Sequence, residues 1–537
     1  MSGSSSDGLQ LVQTDDGVTV RLGRRYLTHP KRPRDAADRR ARSFPVRENT
    51  LYIVASPLMF YGLHLFQSRL PASSSLTCIE QSDVLAQLSR EVRAGEAQNI
   101  RFSTSSEPVE TARRIVQDLP FSIRRCELVS FGSGLSLGTD HYRQVERTVN
   151  RLIAERARNR ATLIHFGRKW CRHVFRTMLH SPVPLPGAAI FDAQPVVVVA
   201  AGESLEQHID LLKRYRRQFR LVAVDTALGP LTGHGLLPDL VVAVESQSIN
   251  TGHFHPRIGR ESMLVHDLTC HPDIVRLWPA DQKFTFATRF ADIRLFDRIS
   301  TLYDRGSHLP GLGSVGITAC ALASRLTEGT VVLAGYDFSY IPGKPHARHA
   351  LSAQLSLIRS GRLEPDILYE LAMSRPLFRG NTDDGRPYQS DSVLSSYATY
   401  LAQVLPPGRA YTLPRMGPDI DVPVITPEFF ADIVTNPSVD ALSMSETVER
   451  MHRDYGDTEH WISRVQGFIR DELSLLERAQ RPDCPDPELE LVDYTWVDFP
   501  DSSGGRLPES ENSRRRILHR LESYTRYIQQ CLSSLRP

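Results

Sequence analysis

Several absences narrow the reading of this 537-residue chain before any motif is considered. No apolar run approaches the roughly 20 residues that a membrane-spanning helix requires, so no transmembrane segment is expected. The opening MSGSSSDG is polar and lacks the apolar core of a secretory signal, which predicts a cytoplasmic protein. Cysteine is scarce and unpatterned. Cys78, Cys126, Cys171, Cys270, Cys320, Cys484 and Cys531 are odd in number and include no CxxC pair, which fits free thiols in a reducing compartment. An excess of one charge is also missing: 64 Lys and Arg against 62 Asp and Glu leave +2, so no global field attracts DNA or a membrane. Basic residues gather only locally, at 31–42 (KRPRDAADRRAR), 168–176 (RKWCRHVFR) and 513–520 (SRRRILHR). Such clusters are mostly solvated faces or tails, and a phosphate-rich partner is the competing reading. No internal repeat is visible.

What is present is ordinary for a folded chain, with 41% hydrophobic and 23% charged residues. The length calls for about three or four folding units. Residues 1–44 predict a hairpin turning at Asp16-Gly17 and then an exposed basic arm. Over 45–140 the pattern is α/β: a strand at 51–56, a helix at 59–70, a strand ending on Glu80 and a helix closed by Gly95. This copies the first crossover of a nucleotide-binding fold, with an acid where a ribose would be held. The turn Ala55-Ser56-Pro57-Leu58 has no glycine to admit phosphates, so a degenerate Rossmann-like domain is expected. Residues 141–182 predict bridging helices, with SPVPLPG (181–187) as a linker. Residues 183–425 form the central domain. Residues 426–537 predict a helical C-terminal domain, with 484–513 read as loop.

The central domain carries the chemistry. Val196–Val199 is an apolar β-branched run that breaks at Ala200-Ala201-Gly202 and enters an amphipathic helix through Ser204. Two further apolar runs end on Asp225 and Glu245. Apolar runs alternating with helical periodicity are the sequence form of βαβ units in a parallel, doubly wound sheet. Ligands of such sheets sit beyond the carboxyl ends of the strands. Glycine admits close backbone approach, Ser204 can cap the following helix, and free N–H groups there attract phosphate. Asp225 and Glu245 suit ribose hydroxyls or a divalent ion. A second glycine-rich loop, Gly311-Leu312-Gly313-Ser314-Val315-Gly316, feeds a helix of small residues. A buried strand at 330–340 delivers Asp337, followed by Tyr340, Lys344, His346 and His349. Aspartate and histidine are common general bases. HxxH without a third ligand in view predicts no metal site.

Taken in order, these motifs make the chain resemble the motility-associated factors of flagellated bacteria. Their central domain is shared with archaeal 6-hydroxymethylpterin diphosphokinase-like (MptE-like, DUF115) proteins. The resemblance rests on Gly202-Glu203-Ser204-Leu205, Asp225-Thr226, Pro238-Asp239, Gly313-Ser314-Val315, Gly335-Tyr336-Asp337 with Lys344-Pro345-His346-Ala347, and the segment 379–397 containing Asn381. It covers roughly 190–420 well and 45–140 faintly. Glu203 replaces the family's usual proline, and Glu245 stands where an aspartate is usual.

The resemblance implies a sialyltransferase-like central domain. It also implies transfer of a nonulosonic acid from a CMP-sugar donor to Ser or Thr of flagellin or another surface protein. On that reading Gly202, Ser204, Leu205, Gly313 and Ser314 hold the nucleotide phosphate, while Asp225, Thr226 and Glu245 hold ribose or an ion. Asp337, Tyr340, Lys344 and His346 face the sugar as the catalytic group, His346 being the leading base, and His349 and Asn381 contact substrate. No cofactor beyond the donor is implied, and oligomerisation is left open. One alternative is an ATP-dependent 6-hydroxymethylpterin diphosphokinase-like transferase, in which Mg²⁺ would bridge phosphates. Another is a catalytically silent scaffold.

Overall fold

The computed structural model describes residues 8–96, 100–120, 122–254, 262–303, 307–340, 346–362, 376–382, 385–435, 443–500, 507 and 511–534. The chain divides into two compact units, Met1–Thr162 and Leu163–Pro537.

The first unit opens with an antiparallel sheet of β1 (Leu9–Thr14), β2 (Gly17–Leu22) and β3 (Arg25–Tyr26). The expected basic arm is instead a helix, α1 (Pro33–Ser43), with Pro33 in its first turn and Pro33, Ala37 and Ala41 buried. Its small residues recur at helical spacing and give the segment a packing face, while the arginines take the other side. A parallel sheet of order β6-β5-β4-β7 follows. It is built from β4 (Thr50–Ala55), α2 (Leu63–Ser68), β5 (Ser75–Glu80), α3 (Asp83–Glu96), β6 (Phe102–Thr104), α4 (Pro108–Gln117) and β7 (Arg125–Val129). The Rossmann-like pattern is present and its nucleotide features are closed. Glu80 is 1% exposed and accepts the Tyr142 hydroxyl at 2.9 Å and the Ser82 N–H at 3.1 Å.

The 42-residue α5 (Thr139–His180) contains the division between the units. The second unit is built on an all-parallel eight-stranded sheet of order β13-β12-β11-β10-β9-β8-β14-β17. Strands β8 (Val196–Val199), β9 (Arg220–Val224), β10 (Leu240–Ala243), β11 (Met263–Asp267), β12 (Lys283–Arg289) and β13 (His308–Pro310) step outward in sequence. The helices α6 (Leu205–Arg214), α7 (Leu228–Gly233), α8 (Pro272–Leu277) and α9 (Arg294–Leu302) connect them. Helix α10 (Val315–Leu326) then crosses back over β8, β9 and β10 to β14 (Val331–Ala334), beside β8. Helix α11 (Leu351–Arg359), the hairpin β15 (Leu377–Asn381)/β16 (Pro387–Asp391), α12 (Ser392–Val404) and the edge strand β17 (Ala410–Thr412) complete the layer. Buried Val, Leu and Ile on both faces are what a parallel sheet covered by helices demands.

Two further expectations are corrected. The proline-rich 181–187 is no free linker: residues 181–186 are buried, and Val183 and Leu185 exchange backbone hydrogen bonds with Thr285 of β12 at 2.9 and 2.7 Å. Proline at alternate positions tolerates this edge pairing because the intervening residues supply the N–H groups. The C-terminal loop is also more than loop. Residues 486–495 form short helical turns, and Tyr494 and Trp496 are fully buried between the helices at 458–479 and 511–533. Six of the seven cysteines are buried and none is bridged; Cys484 is half-buried.

Candidate functional site

The order of the eight-stranded sheet reverses between β8 and β14, which marks the crevice beyond their carboxyl ends as the place for a ligand. There the strand ends come unusually close. A Cβ on Gly202 would lie 2.4 Å from the Gly335 carbonyl oxygen and 2.6 Å from Asp337 Oδ2. Gly335 itself has φ +72°, and its Cβ would meet the Ala200 oxygen at 2.3 Å. Glycine at both positions is a packing requirement.

Asp337 is 3% exposed. Its Oδ2 accepts the Ser204 N–H at 2.9 Å, and its Oδ1 accepts the Ser204 hydroxyl and the Met416 N–H, the latter at 3.2 Å. Burial raises its pKa while these donors pull it down. The carboxylate thus sits at the start of α6, where an anion was expected, and Ser204 bonds to it instead of capping the helix. The Gly202 and Leu205 N–H groups are also engaged, with the oxygens of Gly335 (2.9 Å) and Gly202 (3.1 Å). A phosphate at this turn would have to displace these bonds.

The start of α10 is different. Gly313 has φ +74° and its carbonyl accepts the Tyr397 hydroxyl at 2.6 Å. Ser314 makes no side-chain cap, and the first intrahelical bond runs from Thr318 N–H to the Ser314 oxygen. The preceding amides of the first turn have no intrahelical acceptor. Because α10 leads directly into β14, this end lies on the same carboxyl side of the sheet.

Asp225 and Glu245 follow the neighbouring strands β9 and β10. Asp225 is 1% exposed and accepts the Thr226 N–H at 2.7 Å. Burial, reinforced by the charge of Glu245, pushes Asp225 up to about 7 against that bond. Burial also raises Glu245. Two acids in one field behave as a pair that holds a proton near neutrality. No group of three or more His, Cys, Asp or Glu suited to a metal ion occurs among the described residues.

The loop after β14 folds back over this edge: Ala347 N–H donates to the Ala201 oxygen at 2.9 Å. His346 places Nδ1 3.3 Å from Ser352 Oγ, and burial lowers its pKa. His253, in the turn Ser248–Phe254, is an unanticipated neighbour; burial and then His346 push it down to about 4. His349 adopts φ +67°, is exposed, and sets its ring edge-on to His234 at 5.4 Å. A Cβ on Gly229 would meet its carbonyl oxygen at 2.1 Å, so α7 is shaped to receive it. Tyr340 exchanges backbone bonds with Gln389 of β16, and its hydroxyl is 3.5 Å from Asp391. Asn381 is exposed at the end of β15. Lys344 lies outside the described residues.

Sequence reasoning missed Asp267, the acid ending β11. It is fully buried and accepts the Thr269 N–H and hydroxyl and the Thr288 N–H. Also missed is the lid over this part of the edge. Trp170 of α5 donates its indole N–H to Ser246 Oγ at 2.9 Å, and Thr177 donates to the Leu268 oxygen at 2.6 Å. These contacts tie α5 to the residues that follow β10 and β11.

The fold has a counterpart among solved structures. The chain shares its fold with a Maf glycosyltransferase. That structure, from Magnetospirillum magneticum AMB-1, superimposes with a TM-score of 0.58 at 14% sequence identity, covering 98% of this chain and 91% of that one. Residues 176–343 match the family described as 6-hydroxymethylpterin diphosphokinase MptE-like. An uncharacterized protein of Treponema pallidum (strain Nichols) is 27% identical over 369 residues, 66% of this chain and 64% of the other. A second from the same organism is 27% identical over 88 residues, 16% of this chain and 42% of its own. The chain therefore spans less than two thirds of the curated relatives it matches. The Rossmann-like layers and the helical C-terminal region are features of the shared fold. No helix among the described residues is long and apolar enough to cross a membrane.

Proposed function

We propose that this chain is a nucleotide-sugar-dependent glycosyltransferase of the Maf type, moving a nonulosonic acid from CMP to a Ser or Thr hydroxyl of flagellin or another surface protein. The observation that carries the reading is the buried Asp225–Glu245 pair at the strand ends next to the β8/β14 crevice. A pair that keeps a proton near neutral pH can both accept from and donate to ribose hydroxyls, without a net dianion facing the donor phosphate. The open first turn of α10 at Ser314 takes the phosphate, since the amides of Gly202, Ser204 and Leu205 are already engaged. In the transfer, the acceptor oxygen bonds to the anomeric carbon, and the bond from that carbon to the phosphate oxygen breaks. CMP leaves with the electron pair. The acceptor proton goes to the unprotonated ring nitrogen of His346, which burial keeps neutral and whose Nδ1 pairs with Ser352 Oγ.

A second reading, diphosphate transfer from ATP to a small alcohol, is favoured by the MptE-like match. Mg²⁺ is commonly held by one or two carboxylates plus substrate phosphates, a demand that Asp225 and Glu245 fit. Thermal-shift titration with CMP, CMP-N-acetylneuraminic acid, and ATP with and without Mg²⁺ separates the two. CMP and its sugar conjugate are expected to raise Tm by mass action. Asp225→Ala should abolish the shift, and His346→Ala should keep it while losing transfer. A response only to ATP with Mg²⁺ would transfer the assignment to the kinase. Silence to every nucleotide would leave a scaffold.

A further inference from the structure

The first unit has its own point of strand-order reversal, between β4 and β7, and a cavity of about 230 Å³ lies beyond the carboxyl ends of those strands. It is lined from the β4 turn (Ser56–Met59), the loop after β7 (Phe131–Ser133) and the segment from Tyr26 to Arg40. Topology puts ligands at this position in open α/β sheets, and the volume is below the roughly 300–1,000 Å³ of drug-sized sites.

Three features of the lining define what would fit. First, it contains no Asp or Glu, and its charged or titratable nitrogen groups are Arg40 and His29. Second, both carry N–H donors at the cavity wall. The exposed Arg40 guanidinium uses Nη1 to hold the Gly132 oxygen at 3.0 Å, which ties α1 to the loop after β7. His29 Nδ1 accepts the N–H groups of Lys31 and Arg32 at 3.3 and 3.0 Å, so its ring proton sits on Nε2. Third, the turn is held in a costly conformation. Ser56, Leu58 and Phe60 are non-glycine residues with φ of 51°, 51° and 56°. Left-handed non-glycine residues are uncommon, and clusters of them are typical of ligand clamps. Helix α1 forms one wall of this cavity, and of the basic run 31–42 it is Arg40 that lines it.

We propose that the first unit binds a small anion, a phosphate- or carboxylate-bearing molecule of sugar-phosphate size, between β4, β7 and α1. This is independent of donor binding in the second unit. The test is calorimetric titration of the full-length protein with ribose 5-phosphate, gluconate, inorganic phosphate and neutral ribose. Saturable binding of ribose 5-phosphate or gluconate, and none of ribose, is expected; which of the two binds tells phosphate from carboxylate. Arg40→Gln should weaken it at least tenfold, and Ala36→Leu, which adds bulk to the cavity wall, should remove it. Asp225→Asn should leave it unchanged. Binding that survives Ala36→Leu, equal binding of ribose, or no saturable binding of any of the anions would overturn the proposal. Should Arg40→Gln fail to fold, Ala36→Leu decides alone.

Discussion

At the scale of single residues, Asp225 and Gly202 give the sharpest expectations. Asp225 is held at about 7 in the folded chain against 3.8 when exposed, so folding takes up a proton in that window. The stability it contributes is complete below about 3.8 and is lost as pH rises through about 7. Asp225→Asn should therefore raise Tm at pH 8 and give no gain at pH 4; a difference from the parent that ignores pH would contradict the raised value. Gly202→Ala forces a methyl to 2.4 Å from the Gly335 oxygen. Overpacking of this kind costs about 1–3 kcal/mol, and a lower urea midpoint with an unchanged m-value would report it. The sequence pointed to both residues through position alone: glycine after an apolar run, acid at the end of the next. Asp337 was equally visible, but its partner was not. That it would meet Ser204, 133 positions earlier, depends on β14 lying beside β8, which no local pattern encodes.

At the scale of elements, apolar runs made the strands legible because a parallel sheet buries both faces of every central strand. Composition misled where polar or proline-rich stretches are pinned by distant partners. SPVPLPG lies along β12, and the stretch around Tyr494 and Trp496 hides two large rings despite its loop-like neighbours. Helix propensity gives a cleaner forecast at Gly467, inside the helix Thr458–Ala479, where an added Cβ meets nothing within 4 Å. Gly467→Ala should raise stability by about 0.5–1 kcal/mol, seen as a higher urea midpoint. An unchanged or lowered midpoint would mean that the site is crowded.

At the scale of the molecule, the helical C-terminal region belongs to the core of the second unit. Arg298 of α9 forms a two-point ion pair with Glu472, whose side chain is 1% exposed. Asp493 accepts the Arg294 N–H at the start of the same helix. Removing one partner of a buried pair costs up to about 3–5 kcal/mol, so Glu472→Gln should lower the Tm of the second unit's transition. A wild-type Tm would show that the pair contributes nothing net.

The thiols offer a way to watch each unit open. In the native state maleimide should consume one equivalent, slowly, at Cys484, whose thiol is pushed up by burial and then by its acidic neighbours. Every further equivalent reports a breach: Cys78 and Cys126 count openings of the amino-terminal body, the remaining four those of its successor. Mass spectrometry of chains alkylated at graded denaturant would then say which body fails first.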